Sequence, residues 1–345
     1  MSVLSPQYTA IDLFAGAGGL SLGAERAGLR VVAAAESDAD ALATFAGLHT
    51  NSRPELLDGD INGRSFVRFE GDVDFIIGGP PCQPYSHGGL RRGELDLRDG
   101  IPAFIRVVEE VRPRAFLMEN VPGLATGSSR LVLETTLRAL RSLGYVVEYR
   151  VLRAADFGVA QRRQRLFVQG VLEGEPRWPR RSHGEDGEQP WVTAGTLLDP
   201  AVPIGEPNAS SVTYARAPDL RPSPWDGHLF NGGGRPINPQ GLAPTLLASM
   251  GGNKTPWLDG GSVVPEYHEH LRNGGRPRSG VVEGARRITV EEAALLQGFP
   301  LETVWHGRRS SQYRQIGNAV PVALAQAVAG ALVEGVNCAQ ERVAA

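Results

Sequence analysis

The first half of the chain alternates strand-length apolar runs with stretches of helical period. Tyr8 to Phe14 is mostly apolar and breaks at once into Gly16-Ala17-Gly18-Gly19. This predicts a buried strand, a glycine turn and a helix to about Ala27. Val31 to Glu36 predicts a second strand, and Asp38 is placed to cap a helix running to about His49. Val73 to Ile77 predicts a third strand, ending in Gly78-Gly79-Pro80-Pro81. Pro102 to Val111 has helical spacing, Ala115 to Met118 reads as a strand ending at Glu119-Asn120, and Arg130 to Leu143 reads as a helix. Tyr145 to Leu152 and Arg165 to Val171 predict two further strands. Repeated βα units of this kind predict an α/β fold, a doubly wound and mostly parallel sheet. Ligands of such sheets sit beyond the carboxyl ends of the strands. The unusual residues, at 14–19, 36, 78–86 and 119–121, fall at those ends.

From Glu173 to about Arg286 the texture changes: Pro, Gly, Arg and Trp crowd in and helical periodicity is lost. This stretch holds Pro-Arg-Trp-Pro-Arg-Arg at 176–181, Gly232-Gly233-Gly234 and Gly251-Gly252-Asn253-Lys254. It is too long for a loop within a compact domain, which predicts a second, smaller and irregular domain. Periodicity returns with Val290 to Gln297 and Pro321 to Val336, the last helix starting with proline in its first turn. No internal repeat is visible.

A chain of 345 residues with 41% hydrophobic and 21% charged residues is long and apolar enough for a large core. The formal net charge is -3, so any nucleic-acid binding must come from local basic surface. Of the 35 basic residues only Lys254 is lysine; arginine forks suit phosphate and guanine, although a biased genome composition gives the same excess. Two cysteines, Cys82 and Cys338, exclude a disulfide framework and a four-cysteine metal site. The N-terminus does not read as a signal peptide, and no run reaches the roughly 20 apolar residues of a membrane helix. A reducing cytoplasm is the expected setting.

Each candidate site residue has a bland reading beside the functional one. The 16–19 loop lets a ligand approach backbone N–H groups at a helix N-terminus, but Ser21 breaks the dinucleotide fingerprint and a structural turn would serve equally. Glu36, ending the next strand, is placed to accept from ribose hydroxyls or to be a solvated acid. Together they indicate an adenosine-type cofactor. Gly78-Gly79-Pro80-Pro81-Cys82-Gln83-Pro84-Tyr85-Ser86 is more specific. Prolines and glycines after a strand fix a rigid turn with Cys82 at its tip, and an inert buried cysteine seldom sits there. Its thiol, with an ordinary pKa of about 8.5, needs a nearby cation, a helix N-terminus or help from the electrophile. Glu119 could protonate or hydrogen-bond a ring nitrogen, or be an ion-paired strand-end acid. Alternation in Gln161-Arg162-Arg163-Gln164-Arg165 puts Arg163 and Arg165 on one side, as a basic edge or as a grip on phosphate or carbonyl oxygen.

In order along the chain, Asp-Leu-Phe-Ala-Gly-x-Gly-Gly, Pro-Pro-Cys-Gln, Glu-Asn-Val and Gln-x-Arg-x-Arg resemble the motifs of the DNA (cytosine-5) methyltransferase family. Arg287-Ile288-Thr289 to Leu296-Gln297-Gly298-Phe299-Pro300 and Tyr313-Arg314-Gln315-Ile316-Gly317-Asn318-Ala319-Val320-Pro321 are similar to its ninth and tenth motifs. The resemblance spans 9–171 and 287–330, and Thr245-Leu246 is similar to the family's Thr-Leu dipeptide. It implies a Rossmann-like S-adenosylmethionine-binding domain at 1–172, completed by 308–345. The target-recognition domain would be 173–307, including the 287–300 motif. Phe14, Ala15, Gly16, Ala17, Gly18, Gly19, Leu20, Glu36, Asp60, Ile61, Pro80, Asn318, Ala319 and Val320 would hold S-adenosylmethionine. Phe14 or Ile61 would pack on adenine, Asp60 would meet its amino group and Glu36 the ribose. The last helix would pack back on the first domain.

By the same resemblance Cys82 would attack carbon 6 of a cytosine flipped from the duplex, with Glu119 at N3 and Arg165, beside Arg163, holding the carbonyl oxygen. Gln83, Ser86, Arg98, Arg235, Thr245, Asn253 and Lys254 are the expected DNA contacts. The polar 87–100 segment, with glycines at both ends, reads as a loop closing over the base. Tyr85 stands where the family usually has Phe, and Ser37 where some members have an aromatic, which implies cofactor packing that is weaker or supplied by Ile61. The implied partner is double-stranded DNA, with no metal and no membrane, for a monomer in a bacterial cytoplasm at the nucleoid, beside a cognate restriction enzyme or as an orphan. A tRNA cytosine methyltransferase is the nearest alternative, and the long segment after 172 counts against it. A catalytically silent DNA-binding relative, a nicotinamide dehydrogenase and an amino-group methyltransferase fit the quoted residues less well.

Overall fold

The computed structural model describes residues 8–81 and 100–344. Seven strands form one sheet: β1 (Tyr8–Leu13), β2 (Leu29–Glu36), β3 (Glu55–Asp58), β4 (Phe75–Gly78), β5 (Ala115–Asn120), β6 (Val146–Arg153) and β7 (Gln164–Val171). Their order is β3-β2-β1-β4-β5-β7-β6. The pairs from β3 to β5 are parallel, and β7 runs antiparallel to both β5 and β6. The sheet is therefore parallel over its first five strands and closes with a reversed pair.

Both faces are covered, which is why the central strands are apolar on consecutive residues. On one face Ile11, Ile76 and Phe116 meet α3 (Ile101–Val111) and α4 (Arg130–Ser142) through Phe104, Val107, Leu133 and Leu137. On the other, Ala10, Phe75, Ile77 and Leu117 meet α1 (Gly19–Arg26) and the C-terminal helix α8 (Val322–Ala344) through Leu20, Ala24, Leu324 and Val328. Helix α2 (Ala39–Leu48) starts where expected, with the Asp38 carboxylate accepting from the N–H groups of Asp40 (3.0 Å) and Ala41 (3.3 Å). That cap satisfies two donors that a helix end otherwise leaves open.

Beyond Leu172 two small sheets appear, β8 (Tyr214–Asp219) with β9 (His228–Phe230), and β10 (Pro236–Ile237), β11 (Trp257–Asp259) and β12 (Ala285–Arg287). Helix α5 (Val263–Arg272) lies among them, contrary to the expected loss of helical periodicity; Asp259 accepts at its start from Val263 and Val264 N–H. Helices α6 (Val290–Leu295) and α7 (Arg309–Asn318) precede α8. The sequence pattern gives no strand at 55–58, because β3 is a sheet edge with one buried side chain, and no helix at 309–318, where Arg, Ser and Gln mask the period.

The membrane expectation also needs correction. The stretch Arg309–Ala339 is long and apolar enough to cross a bilayer, but 67% of its most apolar window is buried inside the protein. Its partners are the sheet and α1, as Val320, Leu324, Val328 and Leu332 show.

A Cβ on Gly23 of α1 would lie 2.4 Å from Ala325 Cβ and 2.7 Å from the Val322 carbonyl oxygen, so the first and last helices touch backbone to backbone. Gly23→Leu is expected to lower stability by about 2–3 kcal/mol, the usual scale for overpacking, as read by urea unfolding. A variant as stable as the wild type would mean that α8 is not docked there.

Candidate active site

The carboxyl ends of β1, β2, β4 and β5 converge on one edge. At the end of β4, Gly79 N–H donates to the Leu13 carbonyl (3.2 Å) and Asn120 Nδ2 donates to the Pro80 carbonyl (3.1 Å). Gly100 N–H in turn donates to the Pro81 carbonyl (2.9 Å), so the chain leaves at Pro81 and returns beside it. A Cβ on Gly100 would strike Pro81 Cδ at 2.6 Å and the Phe14 ring at 2.9 Å, which requires glycine there. Cys82, Gln83, Ser86 and Arg98, and the 87–99 stretch read as a closing loop, lie outside the described residues.

Glu119 ends β5 beside this turn. The residue is 8% exposed, and its Oε2 lies 3.1 Å from where a Gly79 Cβ would be. Oε1 takes Arg165 Nε at 2.6 Å, in a pair almost closed to water. Burial pushes the Glu119 carboxyl above its ordinary range, while Arg165 and then Arg163 pull it back. Burial likewise lowers the Arg165 guanidinium, against the attraction of Glu119. Removing one partner from such a pair costs about 3–5 kcal/mol, because the other charge is left bare.

Arg163, expected beside Arg165 at the substrate, turns its Nη groups to backbone carbonyls of the protein. It is fully buried, and its Nη1 donates to the Leu246 carbonyl (2.7 Å) while Nη2 donates to the carbonyls of Gly317 (2.7 Å) and Ala319 (2.9 Å). Beside it, Gln161 Nε2 donates to the Leu296 carbonyl (3.1 Å), Gln161 Oε1 accepts from Leu246 N–H (2.9 Å), and Gln297 Nε2 donates to the Ile316 carbonyl (2.7 Å). Gln161, Gln297 and Asn120 are the site residues that sequence reasoning missed as functional. Their signal was present: amides inside or beside apolar runs, destined for burial and so for saturated hydrogen bonding.

The expected cofactor residues form one wall. Phe14 has φ +59° and Gly16 φ +56°, and the Gly16 N–H donates to Glu36 Oε2 at 2.8 Å. Glu36 Oε1 accepts from the N–H groups of Ser37 and Asp38, each at 2.8 Å, which fixes the carboxylate at the strand end. Gly59 N–H donates to the Glu36 carbonyl (3.2 Å), bringing exposed Asp60 and buried Ile61 alongside. A Cβ on Gly18 or Gly19 would strike His49 or the Val320 carbonyl at 2.5 Å, whereas one on Gly16 would meet open space. The loop is thus packed from behind by α2 and 319–320 and clear in front of Gly16. That cradle, with fixed carboxylates and half-buried Phe14, suits an adenosine ligand. Leu20 differs: its side chain is in the core with Ala24 and Leu324.

The chain matches the family described as C-5 cytosine-specific DNA methylase over residues 8–198 and 244–334. It belongs to that family. It is a DNA cytosine-5 methyltransferase, and it resembles named type II methyltransferases along almost its whole length. M.NgoPII of Neisseria gonorrhoeae is 33% identical, over 93% of this chain and 94% of that one. M.NgoMIV of the same organism is 32% identical, over 96% and 99%. Among solved structures, a putative DNA modification methyltransferase encoded within an E. coli prophage superposes with TM-score 0.67 at 24% identity, over 96% of this chain and 100% of that one. S. pombe Dnmt2 methyltransferase gives 0.67 at 18%, over 96% and 99%. These two likenesses support the fold.

The methyltransferase brings some of the expected DNA contacts together. Gly232 packs on the Asn253 backbone, so the 232–235 and 252–254 turns share one edge, with Asn253 and Lys254 exposed. Arg235 is held by the Asp226 carbonyl and lies 3.1 Å from His228 Nε2. Thr245 Oγ1 donates to the Arg162 carbonyl at 2.7 Å, on the catalytic side. Among the described residues no group of three or more His, Cys, Asp or Glu is placed to hold a metal ion.

Beneath the 16–19 loop, Asp12 is fully buried; Oδ2 accepts from Ser21 Oγ at 2.6 Å and Oδ1 has no partner among the described residues. Burial raises its carboxyl from 3.8 to about 7, against the Ser21 hydrogen bond. The folded state therefore binds this proton more tightly than the unfolded chain. The stability it contributes is full below pH 3.8 and is lost as pH rises to about 7. Urea midpoints of the wild type, measured against Asp12→Asn, are expected to fall across that window. A constant difference between the two proteins would contradict it.

Proposed function

We propose that the chain methylates carbon 5 of a flipped-out cytosine in a specific duplex DNA sequence, through a covalent bond to Cys82. The observation that carries this reading is the buried Glu119–Arg165 pair set against the 79–81 turn that leads directly into Cys82. Carbon 5 of cytosine is a weak nucleophile inside the base stack, and extruding the base costs a few kcal/mol. A thiolate adding at carbon 6 forms a carbon–sulfur bond and pushes electrons into the ring, while Glu119 supplies a proton at N3. The product ring is an enamine with a nucleophilic carbon 5. Arg165, fixed by Glu119, is placed to hold the ring carbonyl oxygen. Once carbon 5 carries the methyl group, a base such as water takes its proton. The freed electron pair restores the carbon 5–carbon 6 double bond and expels the Cys82 thiolate, and N3 returns its proton to Glu119.

S-adenosylmethionine, when bound, supplies the methyl group as a sulfonium. The residues proposed to hold it are Phe14, the Ala15–Gly19 turn, Leu20 through its backbone, Glu36, Asp60, Ile61, Pro80 and Asn318–Val320. Residues 1–172 with 308–345 would carry the chemistry, and 173–307 would read the DNA, Arg235, Thr245, Asn253 and Lys254 among the contacts. The type II names of the relatives support a cognate restriction enzyme and a place in the bacterial cytoplasm.

Bisulfite sequencing of DNA from a host expressing the chain tests this. Protected cytosines are expected in one short motif, and Cys82→Ala is expected to remove them while cofactor binding persists. Glu119→Gln is expected to lose about 10²–10⁴ in kcat. Because the needed carboxyl proton is lost as pH rises, the alkaline fall of the wild-type profile would also vanish. Protection by Cys82→Ala would sink the mechanism.

A further inference from the structure

The wall that carries Asp60 and Ile61 has little of its own to hold it in place. It is a single helical turn, Ile61–Gly63, and between Asp58 and Phe66 only Ile61 and Phe66 are buried. Asp60 Oδ1 caps that turn, accepting from Asn62 N–H (2.9 Å) and Asn62 Nδ2 (3.0 Å). A short exposed turn with so little buried surface frays unless its backbone is anchored elsewhere. The anchor is on α3.

Arg106 Nη2 donates to the Ile61 carbonyl (2.8 Å), and Nη1 donates to the Arg64 carbonyl (3.0 Å) and to Glu110 Oε1 (2.6 Å). The second carboxylate oxygen, Glu110 Oε2, accepts from Phe66 N–H at 2.6 Å. One ion pair thus grips two carbonyls and an N–H of the turn and the residues after it. A pair at this spacing on a helix ordinarily serves its own helix and faces water. Arg130 and Glu134 of α4 pair in that ordinary way, with side chains 66% and 49% exposed against 33% and 19% for Arg106 and Glu110.

The same helix begins at the reacting edge. Gly100, just before α3, donates to the Pro81 carbonyl and packs against the Phe14 ring, and Phe104 N–H donates back to the Gly100 carbonyl at 3.0 Å. Phe14 and Ile61 meet in one apolar cluster with Ile101 of α3. Helix α3 therefore ties, on one body, the turn that leads to Cys82 and the turn that carries Asp60.

We propose that Arg106, braced by Glu110, is a positioning residue for the cofactor: it sets the 60–64 turn so that Asp60 and Ile61 meet adenine without further ordering. This rests on the S-adenosylmethionine reading of the site given above. A turn fixed before binding has less freedom to lose when the ligand arrives. The effect falls on adenosyl affinity and base preference, and methyl transfer at saturating cofactor is left alone. A site arranged to accept a hydrogen bond from an amino group rejects an analogue that lacks it, and does so only while the acceptor is held in place.

The test is calorimetric titration of the full-length chain with S-adenosylhomocysteine and with its inosine counterpart, in which a carbonyl replaces the adenine amino group. The wild type is expected to prefer the adenine ligand by about tenfold or more. Arg106→Met should weaken S-adenosylhomocysteine binding about tenfold, the scale of one hydrogen bond to a charged group, and shrink the base preference. On a duplex carrying the methylated motif, its KM for S-adenosylmethionine should rise by a similar factor while kcat stays within about twofold. Arg106→Lys keeps the stem and the charge but not the planar fork, so it should recover part of the loss; it also serves if Arg106→Met does not fold. Arg130→Met should match the wild type throughout. Affinity and preference equal to wild type in every folded Arg106 variant would overturn the proposal. Equal losses for the two ligands, with the preference kept, would overturn it too, by reducing Arg106 to a group that stabilises the fold. A wild type that binds both ligands alike would remove Asp60 from adenine and the proposal with it. Failure of the wild type to bind S-adenosylhomocysteine would instead overturn the cofactor reading itself.

Discussion

Burying a guanidinium costs several kcal/mol unless its donors find acceptors. At Arg163, whose Nε has no partner among the described residues, the acceptors of both Nη groups come from distant parts of the chain. The carbonyls of Leu246, Gly317 and Ala319 converge on it from the segment after the small strands and from the turn before α8. Since Arg163 stands at the entry to β7, two residues from Arg165, the same side chain fixes three things. It sets the strand that carries Arg165, the Thr245-Leu246 dipeptide, and the 317–319 backbone that closes behind Gly19. Gln161 and Gln297 extend the hold with neutral amides, so no second buried charge is needed.

This arrangement explains how a carboxylate can sit beside a hydrophobic sheet end and still be useful. Burial raises the Glu119 carboxyl above its ordinary range, and Arg165 both opposes that shift and keeps the group oriented. Its neighbours Gly79 and Pro80 are held in turn by Leu13 and Asn120. Among the described residues, hydrogen bonds from Gly79, Asn120 and Gly100 tie the 79–81 turn at this edge. Preorganisation of this kind lowers the cost of meeting a transition state.

Much of the fold was legible in the pattern of the chain. Apolar runs at 8–14, 31–36 and 115–118 are strands because helices cover both faces, and Asp38 caps α2 as its residue type suggests. The convergence of Phe14, Glu36, Pro80 and Glu119 followed from their places at strand ends. What stayed hidden depended on partners far away in sequence. Strand β3 is polar because only one of its side chains is buried, and α5 and α7 carry surface periodicities that Arg, Ser and Gln obscure. Alternation placed Arg163 beside Arg165 but gave no sign that the carbonyls of residues 246, 317 and 319 would take its Nη donors. The choice of cytosine came from the order of several motifs, which no single spacing encodes.

The central claim, a sulfur bond from Cys82 to the cytosine ring, can be trapped directly. A duplex carrying 5-fluorocytosine at the methylated position has no proton to lose from carbon 5 after methyl transfer, so the thiol cannot be expelled. Incubation with the chain and S-adenosylmethionine, followed by denaturation and peptide mass mapping, reads the outcome. A stable complex with the DNA attached at Cys82 is predicted. Normal methylation of the unfluorinated duplex with no trapped complex, or attachment at another residue, would contradict the account.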